Sequence, residues 1–341
     1  MKIKAWILAA LTALIVLTGC GSNTYRVAFF IYDESDTFIS EMMTKVTDLI
    51  PSGVTTEIRY AGNSQAIQNQ QILDLADTGV PLFVINVVDR LACGSIVEKC
   101  VNSGIDIIFF NREPLEDAMN GKNIYYVGAA AESLGKKQAD MVAALFGGDF
   151  QDGPYDKNHD GVIQLAIIKG EQGHQDAEKR TDNCVSQLKG LGFKVDVLSI
   201  EAADWSRASG YNAMARLYPQ YGGDLELLFV NNDDMAVGAI DYLLENKVFS
   251  QTANPPDLPF VVVGVDGTAV GLDMISQGFL YGTVLNDSAR QADAIVTLTD
   301  YLLTGRDLAD FPYEIKNGHY IYIDGDIITS KNLSEYGIEQ R

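Results

Sequence analysis

Leu82-Phe-Val-Ile-Asn86, Ile107-Ile-Phe-Phe-Asn111, Leu227-Leu-Phe-Val-Asn231-Asn232, Phe260-Val-Val-Val-Gly-Val-Asp266 and Tyr281-Gly-Thr-Val-Leu-Asn286 decide how this chain reads. Each is an apolar run that ends in an amide or a carboxylate. The first four are nearly continuous in Val, Ile, Leu and Phe, which predicts strands covered on both faces. In open α/β sheets ligands bind beyond the carboxyl ends of the strands. Asn and Asp repeated at those ends therefore predict hydrogen-bonding groups around one crevice. The same residue types are favoured helix N-caps, so at any single position capping and ligand contact both stand. Five such ends, spread over both halves of the chain, favour a polar ligand.

Around these runs strand and helix patterns alternate. Residues 26–31 and 54–60 read as strands. Residues 38–50 read as a helix with Phe38, Met42, Val46 and Leu49 at helical spacing. Residues 65–77 read as a second helix with Ile67, Ile72, Leu75 and Ala76 inward. A short strand at 125–128 leads into a helix at 132–146. Further strands at 163–168 and 194–200 precede the later quoted runs, and 319–324 is strand-like. Alternation at this spacing predicts an α/β fold of parallel sheets with helices on both faces. Two such sheets make two lobes. No Pro- or Ser-rich linker separates them, and Gly128-Ala129-Ala130-Ala131 reads as a crossover. Several crossings make a hinge, and polar strand ends facing each other across a hinge make a clamp.

A chain of 341 residues with 46 acidic and 25 basic side chains carries a formal charge of −21. Such a surface repels phosphate backbones and argues against nucleic acid as a partner. At the N-terminus Met1-Lys-Ile-Lys4 is a basic segment, and Ala5 to Val16 is an apolar run too short to span a bilayer. It ends in Leu17-Thr18-Gly19-Cys20, which resembles the bacterial lipoprotein processing box. The resemblance implies a signal peptide over 1–19, lipidation of Cys20, a tether over 20–24 and a place on the extracytoplasmic face of a membrane in the cell envelope. Cys93 and Cys100 lie seven apart in an expected helix. Their α-carbons would be about 10 Å apart, too far for a disulfide. With Cys184 they read as small buried hydrophobes.

Beyond the strand ends, the segments Phe109-Phe-Asn111-Arg-Glu-Pro114, Lys169-Gly-Glu-Gln-Gly-His174-Gln-Asp176-Ala-Glu-Lys-Arg180, Asn231-Asn232-Asp-Asp-Met-Ala-Val-Gly238, Gly264-Val-Asp266 and Thr283-Val-Leu-Asn286-Asp287 closely resemble the galactose/glucose-binding proteins of bacterial ABC transport. The resemblance covers nearly all of the chain after the tether. It implies a type I periplasmic-binding fold: two doubly wound parallel-sheet lobes joined by a multi-crossover hinge. The first lobe would comprise 25–129 and 287–320, and the second 130–286 and 321–341. It also implies D-galactose or D-glucose between the lobes, no catalysis, a monomer, and delivery to the permease of an ABC importer and to a chemoreceptor. Sugar contacts carried over by residue fall on Asp36, Phe38, Asn111, His174, Asp176, Arg180, Trp205, Asn232, Asp266 and Asn286. A two-residue length difference in Tyr32-Asp-Glu-Ser-Asp-Thr-Phe38 leaves Asp33 as the alternative to Asp36. Gln175 stands where the family has Pro.

These residue types suit a pyranose, which has apolar C–H faces and a rim of hydroxyls. Phe38 and Trp205 can cover the faces while carboxylate, amide and guanidinium groups meet the rim. Asp176 and Arg180, four apart on one helical face, can also pair with each other.

Asp156-Lys-Asn158-His-Asp160-Gly161-Val162-Ile-Gln164 follows an EF-hand loop through its ninth position, with the Val162 carbonyl at the seventh. The twelfth position is Ile167, so the bidentate Glu is missing, and the following residues read as a strand. The family shares this departure, which implies that Glu226 closes the shell around a structural calcium ion. All-oxygen ligands suit calcium rather than zinc.

An enzyme is the rival class, with Asp36, Asp176 and Asp266 as its carboxylates. No nucleophile elbow, phosphate loop or zinc motif accompanies them. A sugar-responsive transcription regulator of the same fold would carry a basic DNA-binding segment where this chain has its apolar leader.

Overall fold

The computed structural model describes residues 25–148, 150–250 and 258–338. The leader, the tether and Cys20 lie outside the described residues. In the first lobe β1 (Tyr25–Ile31), α1 (Thr37–Leu49), β2 (Val54–Tyr60), α2 (Gln65–Ala76), β3 (Leu82–Ile85), α3 (Cys93–Asn102), β4 (Asp106–Phe110) and β5 (Ile124–Ala129) follow one another. The second lobe runs through α4 (Ala131–Phe146), β6 (Val162–Lys169), α5 (Gln175–Gly190), β7 (Lys194–Ala202), α6 (Arg207–Tyr221), β8 (Leu227–Val230), α7 (Asp233–Glu245), β9 (Val261–Asp266), α8 (Ala269–Ser276) and β10 (Gly282–Leu285). The chain then returns to the first lobe with α9 (Ser288–Thr304) and β11 (Tyr320–Ile323), and crosses once more to β12 (Ile327–Thr329).

The strand orders are β11-β5-β4-β3-β1-β2 and β12-β10-β9-β8-β6-β7. Every pairing is parallel except β10 with β12. Each sheet is doubly wound, and its order reverses beside β1 or β6, where a crevice opens at the strand ends.

Continuous apolar strands follow from burial on both sides. In β1, Val27, Phe29 and Ile31 pack with α1 and α9, while Ala28 and Phe30 pack under α2 and α3. In β8, Leu228 and Val230 face one core and Leu227 and Phe229 the other. Cys93, Cys100 and Cys184 are free and buried in these cores.

Four readings change. The lobe boundary expected between 320 and 321 would cut β11, which pairs with β5 from Tyr320↔Tyr126 to Ile323↔Ala129. The crossover therefore falls after Ile323. β12 is a three-residue antiparallel edge, too short to show a period in sequence. On α2 the inward position is Gln68, fully buried, while Ile67 is half exposed. Gln68 Nε2 donates to the Asn86 carbonyl at 2.9 Å and its Oε1 accepts from the Val88 N–H at 2.9 Å. A polar side chain thus replaces the apolar one because the loop after β3 has backbone groups to satisfy. Leu49, at the end of α1, is likewise exposed.

Candidate functional site

All ten residues expected to meet a ligand line one pocket between the lobes, together with Tyr32 and Arg112. The first lobe supplies Tyr32, Asp36, Phe38, Asn111 and Arg112 from beyond β1 and β4. The second supplies His174, Asp176 and Arg180 beyond β6, Trp205 beyond β7, Asn232 beyond β8 and Asp266 at the end of β9. Asn286 sits in the crossover after β10.

Asp36 is the N-cap of α1. Its Oδ1 accepts from the Ile39 N–H at 2.9 Å and its Oδ2 from the Tyr32 hydroxyl at 2.5 Å. Asp33 instead accepts from Ser35 N and Oγ and lines only the outer cleft. Burial raises the Asp36 carboxyl above its ordinary range.

Asn111 has φ 61°, a left-handed conformation that Asn tolerates. It turns the chain so that side chain and carbonyl diverge. The carbonyl accepts from the buried Tyr126 hydroxyl at 2.9 Å. The side-chain Oδ1 accepts from Asn86 Nδ2 at 3.1 Å. With its oxygen held, Asn111 has its amide donors left for a ligand.

His174 is the N-cap of α5, and its Nδ1 accepts from the Asp176 N–H at 3.1 Å. The ring proton therefore sits on Nε2. Burial, reinforced by Arg112 and Arg180, pushes its pKa well below the usual range and keeps the ring neutral. Arg180 lies between two buried carboxylates. Its Nη2 donates to Asp176 Oδ2 at 3.0 Å, and its Nη1 to the Asn231 carbonyl at 2.7 Å and Asp266 Oδ1 at 3.5 Å. Burial raises Asp176 to about 6 and Asp266 well above the carboxylate range, with Arg180 pulling both down. Asp266 has φ 125°, a strained conformation of the kind that collects at functional sites. Its Oδ1 also accepts from Asn286 Nδ2 at 3.1 Å, and Asn286 Oδ1 is held by Gln291 Nε2 at 2.6 Å.

Trp205 follows Asp204, both with positive φ, just before Ser206 caps α6. A Cβ on Gly170 would overlap the indole, so glycine there admits the ring. His174 meets it edge-on with centroids 5.0 Å apart, and the Arg180 guanidinium lies 5.7 Å from its centre. Asn232 caps α7 through its Oδ1 and donates from Nδ2 to the Trp205 carbonyl at 3.1 Å.

Two strand-end amides do another job. Asn86 Oδ1 accepts from Tyr32 N at 3.4 Å, and Asn231 Oδ1 from Gly170 N at 3.1 Å. They occupy matching places in the two sheets and stitch β3 to β1 and β8 to β6. Tyr32 and Arg112 were missed. Arg112 stood inside a quoted segment, but nothing in its spacing marked it out.

The segment 156–164 lies between α4 and β6 and runs into the first three residues of β6. Asp156 is buried, with Oδ1 and Oδ2 accepting from the N–H groups of Asp160 and Gly161 at 3.3 and 2.8 Å. Asp160 Oδ2 accepts from Asn158 and Gln164 side chains, and its Oδ1 from Val162 N. Glu226, just before β8, accepts from Lys157 N at 2.7 Å and Gln164 N at 3.0 Å. Burial raises its carboxyl, and Asp156 and Asp160 push the same way. Among the described residues no three His, Cys, Asp or Glu side chains form a metal shell by themselves. The loop's donors, however, include amides and a carbonyl, and Gln164 Oε1 is buried without a partner. Three carboxylates and an orphaned oxygen fit a hard cation.

No helix among the described residues is long and apolar enough to cross a membrane. The sequence model for the periplasmic binding protein domain matches residues 27–307. The D-galactose/methyl-galactoside binding periplasmic protein MglB of Haemophilus influenzae is 32% identical over 310 residues, 88% of this chain and 90% of the relative. A solute binding protein from Actinobacillus succinogenes with bound D-allose superposes with a TM-score of 0.75 at 17% identity, over 92% of this chain and all of that one. Another, from Bacillus halodurans with bound myo-inositol, gives 0.74 at 22% identity, over 92% of this chain and 98% of that one.

Proposed function

The chain belongs to the periplasmic binding protein family, and on that premise we propose that it captures free D-galactose or D-glucose between its lobes and delivers it to the permease of an ABC importer. It is an extracytoplasmic solute-binding protein and not an enzyme. One observation carries the reading of a hydroxyl-bearing ligand. Asp176 Oδ1, Arg180 Nε and Arg112 Nε are buried without hydrogen-bond partners, and all three residues line the pocket. Leaving such atoms unpaired costs about 1–3 kcal/mol each. Hydroxyls, which both donate and accept, satisfy an orphaned acceptor and two orphaned donors together. The galactoside-binding relative supports a hexose. The same closed lobes offer one docking form to a permease and to a chemoreceptor.

Calorimetry with D-galactose and D-glucose, alongside ribose, D-allose and myo-inositol, tests this reading. Saturable one-to-one binding of galactose or glucose is expected, with no product formed from either. Absence of heat with both at millimolar concentration sinks it.

We also propose that Asp156, Asn158, Asp160, Gln164 and the Val162 carbonyl hold one structural calcium ion, closed by Glu226. Asp156 and Asp160 repel the Glu226 carboxylate, and a cation among the three would relieve that repulsion. Chelator is expected to lower the melting temperature, calcium to restore it, and magnesium to do so far less. In Glu226→Gln the calcium-dependent rise should shrink while sugar binding in excess calcium persists. A melting point indifferent to chelator would exclude the ion.

Cys20 is proposed as a diacylated anchor, since two chains hold where one is marginal. Cys20→Ser should move the protein, signal removed, from the membrane to the soluble fraction of a bacterial host. Retention on the membrane would contradict the anchor.

A further inference from the structure

We propose that Arg112 is the residue through which a bound sugar holds the two lobes together, its Nε meeting a ligand oxygen while its Nη2 grips Glu171 on the opposite lobe. The proposal rests on the sugar reading of the pocket. Arg112 follows the left-handed Asn111 beyond β4 and is almost fully buried. Its guanidinium lies 3.9 Å from the centre of the Tyr32 ring, and its Nη1 donates to the Val88 carbonyl at 2.5 Å. Both partners belong to the first lobe, so the plane and the direction of the fork are set before the second lobe arrives. A guanidinium is rigid, with its donors in fixed directions. Once Nη1 is anchored, Nη2 and Nε are aimed too.

Nη2 forms a 2.7 Å pair with Glu171 Oε2. Glu171 stands between β6 and α5, in the segment that continues into His174, Asp176 and Arg180. The pair therefore locks the first lobe to the segment carrying three pocket groups. Nε is buried, unpartnered and on a pocket-lining residue. A ligand oxygen on Nε holds the guanidinium plane that Glu171 needs, and closure on Glu171 holds the plane that the ligand needs. The two contacts support each other through one rigid group. A second ion pair between the lobes, Lys179 with Glu113, is long at 3.9 Å and involves a flexible ammonium, so it cannot transmit a direction. A lysine at 112 could satisfy one of these partners but not all three in fixed geometry.

Release of labelled D-galactose after dilution, with calorimetric affinity, tests the coupling in the full-length protein without its leader. Glu171 is 42% exposed on its side chain, so Glu171→Gln should fold with an unchanged sugar-free melting temperature. It is expected to speed release about tenfold while changing the association rate less than twofold. Arg112→Lys should weaken binding at least as much. Combining the two should add little to Arg112→Lys alone, because both remove the same link. Release from Glu171→Gln at the wild-type rate, or effects that multiply in the double variant, overturn the latch while leaving the sugar site intact. A wild type that binds no galactose overturns the sugar reading and this proposal with it.

Discussion

Arg180→Ala is expected to abolish measurable hexose binding and to lower folding stability by about 3–5 kcal/mol, the range for removing one member of a buried ion pair. Arg180 is 2% exposed and bonded to Asp176, the Asn231 carbonyl and Asp266. Without it two carboxylates remain in the pocket with no cation between them. Neither keeps its direction, and the orphaned Nε donor is gone as well.

The loss should depend on pH, with a definite sign. Asp176 is raised to about 6 and Asp266 well above the carboxylate range, by burial that Arg180 partly offsets. Both lie above the unfolded value of about 3.9. A carboxyl raised on folding contributes stability that is full below its unfolded pKa and is lost as pH rises through its folded pKa. Removing Arg180 raises both folded values further. The deficit in Arg180→Ala should therefore be largest at pH 8 and shrink as pH falls toward 5.5. Arg180→Lys, which keeps the charge and loses the fork, should fall between. Urea denaturation at the two pH values, with calorimetry at pH 7.5, measures all of this. A deficit that grows on acidification would show that the two carboxylates are not what Arg180 compensates.

Gly325→Ala should be the largest purely steric effect near the hinge, about 2–3 kcal/mol by the usual cost of overpacking. Gly325 lies in the crossover between β11 and β12. A Cβ there would overlap the Leu285 carbonyl oxygen and meet Leu134 at 3.4 Å. Backbone cannot swing aside as a side chain does. It is also tied, because the Leu285 N–H donates to the Asp326 carbonyl at 2.8 Å and Lys137 bonds both Asp324 and the Gly325 carbonyl. Relief must move Leu285, and Leu285 carries Asn286 into the pocket. Affinity should fall by about tenfold or more along with stability. Denaturation and calorimetry on the same preparation check the pairing of the two losses. Normal stability with normal affinity would mean that the crossovers are further apart than described.

The order of elements was legible because strand and helix leave periods in the sequence. A strand covered on both faces reads as an unbroken apolar run, as in β3, β4 and β8. A core helix shows every third or fourth position apolar, as α1 does at Phe38, Met42 and Val46. Where a period is too short it vanishes, and β12 went unseen. Where a buried position serves the backbone instead of the core, the period misleads. On α2 the period points Ile67 inward, while the fold buries Gln68.

The site was legible in outline. Strand ends predicted a polar crevice, and all ten expected residues line the pocket. Asp33 and Asp36 were separable only in the folded loop, where Asp36 caps α1 and Asp33 turns onto Ser35. Tyr32 and Arg112 were invisible, because an aromatic after a strand and an arginine in a loop are ordinary in any sequence.

By itself the sequence determined that this is an alternating α/β chain with amides and carboxylates at its strand ends. Only the tertiary structure decided what each of them does. Asn86 and Asn231 carry the same signature as Asn111 and Asn232, yet the first two stitch their sheets while the second two line the pocket. For Asn86 and Asn111 the difference lies in strand order, whereas Asn231 and Asn232 end the same strand and differ in the neighbour each side chain meets, Gly170 N for Asn231 and the N-terminus of α7 for Asn232. β3 and β8 lie beside β1 and β6, where the order reverses, and there Asn86 and Asn231 meet the N–H groups of Tyr32 and Gly170. Local sequence specifies that a polar group ends a strand. Which neighbour that group meets depends on contacts between segments far apart in the chain, which no local pattern contains.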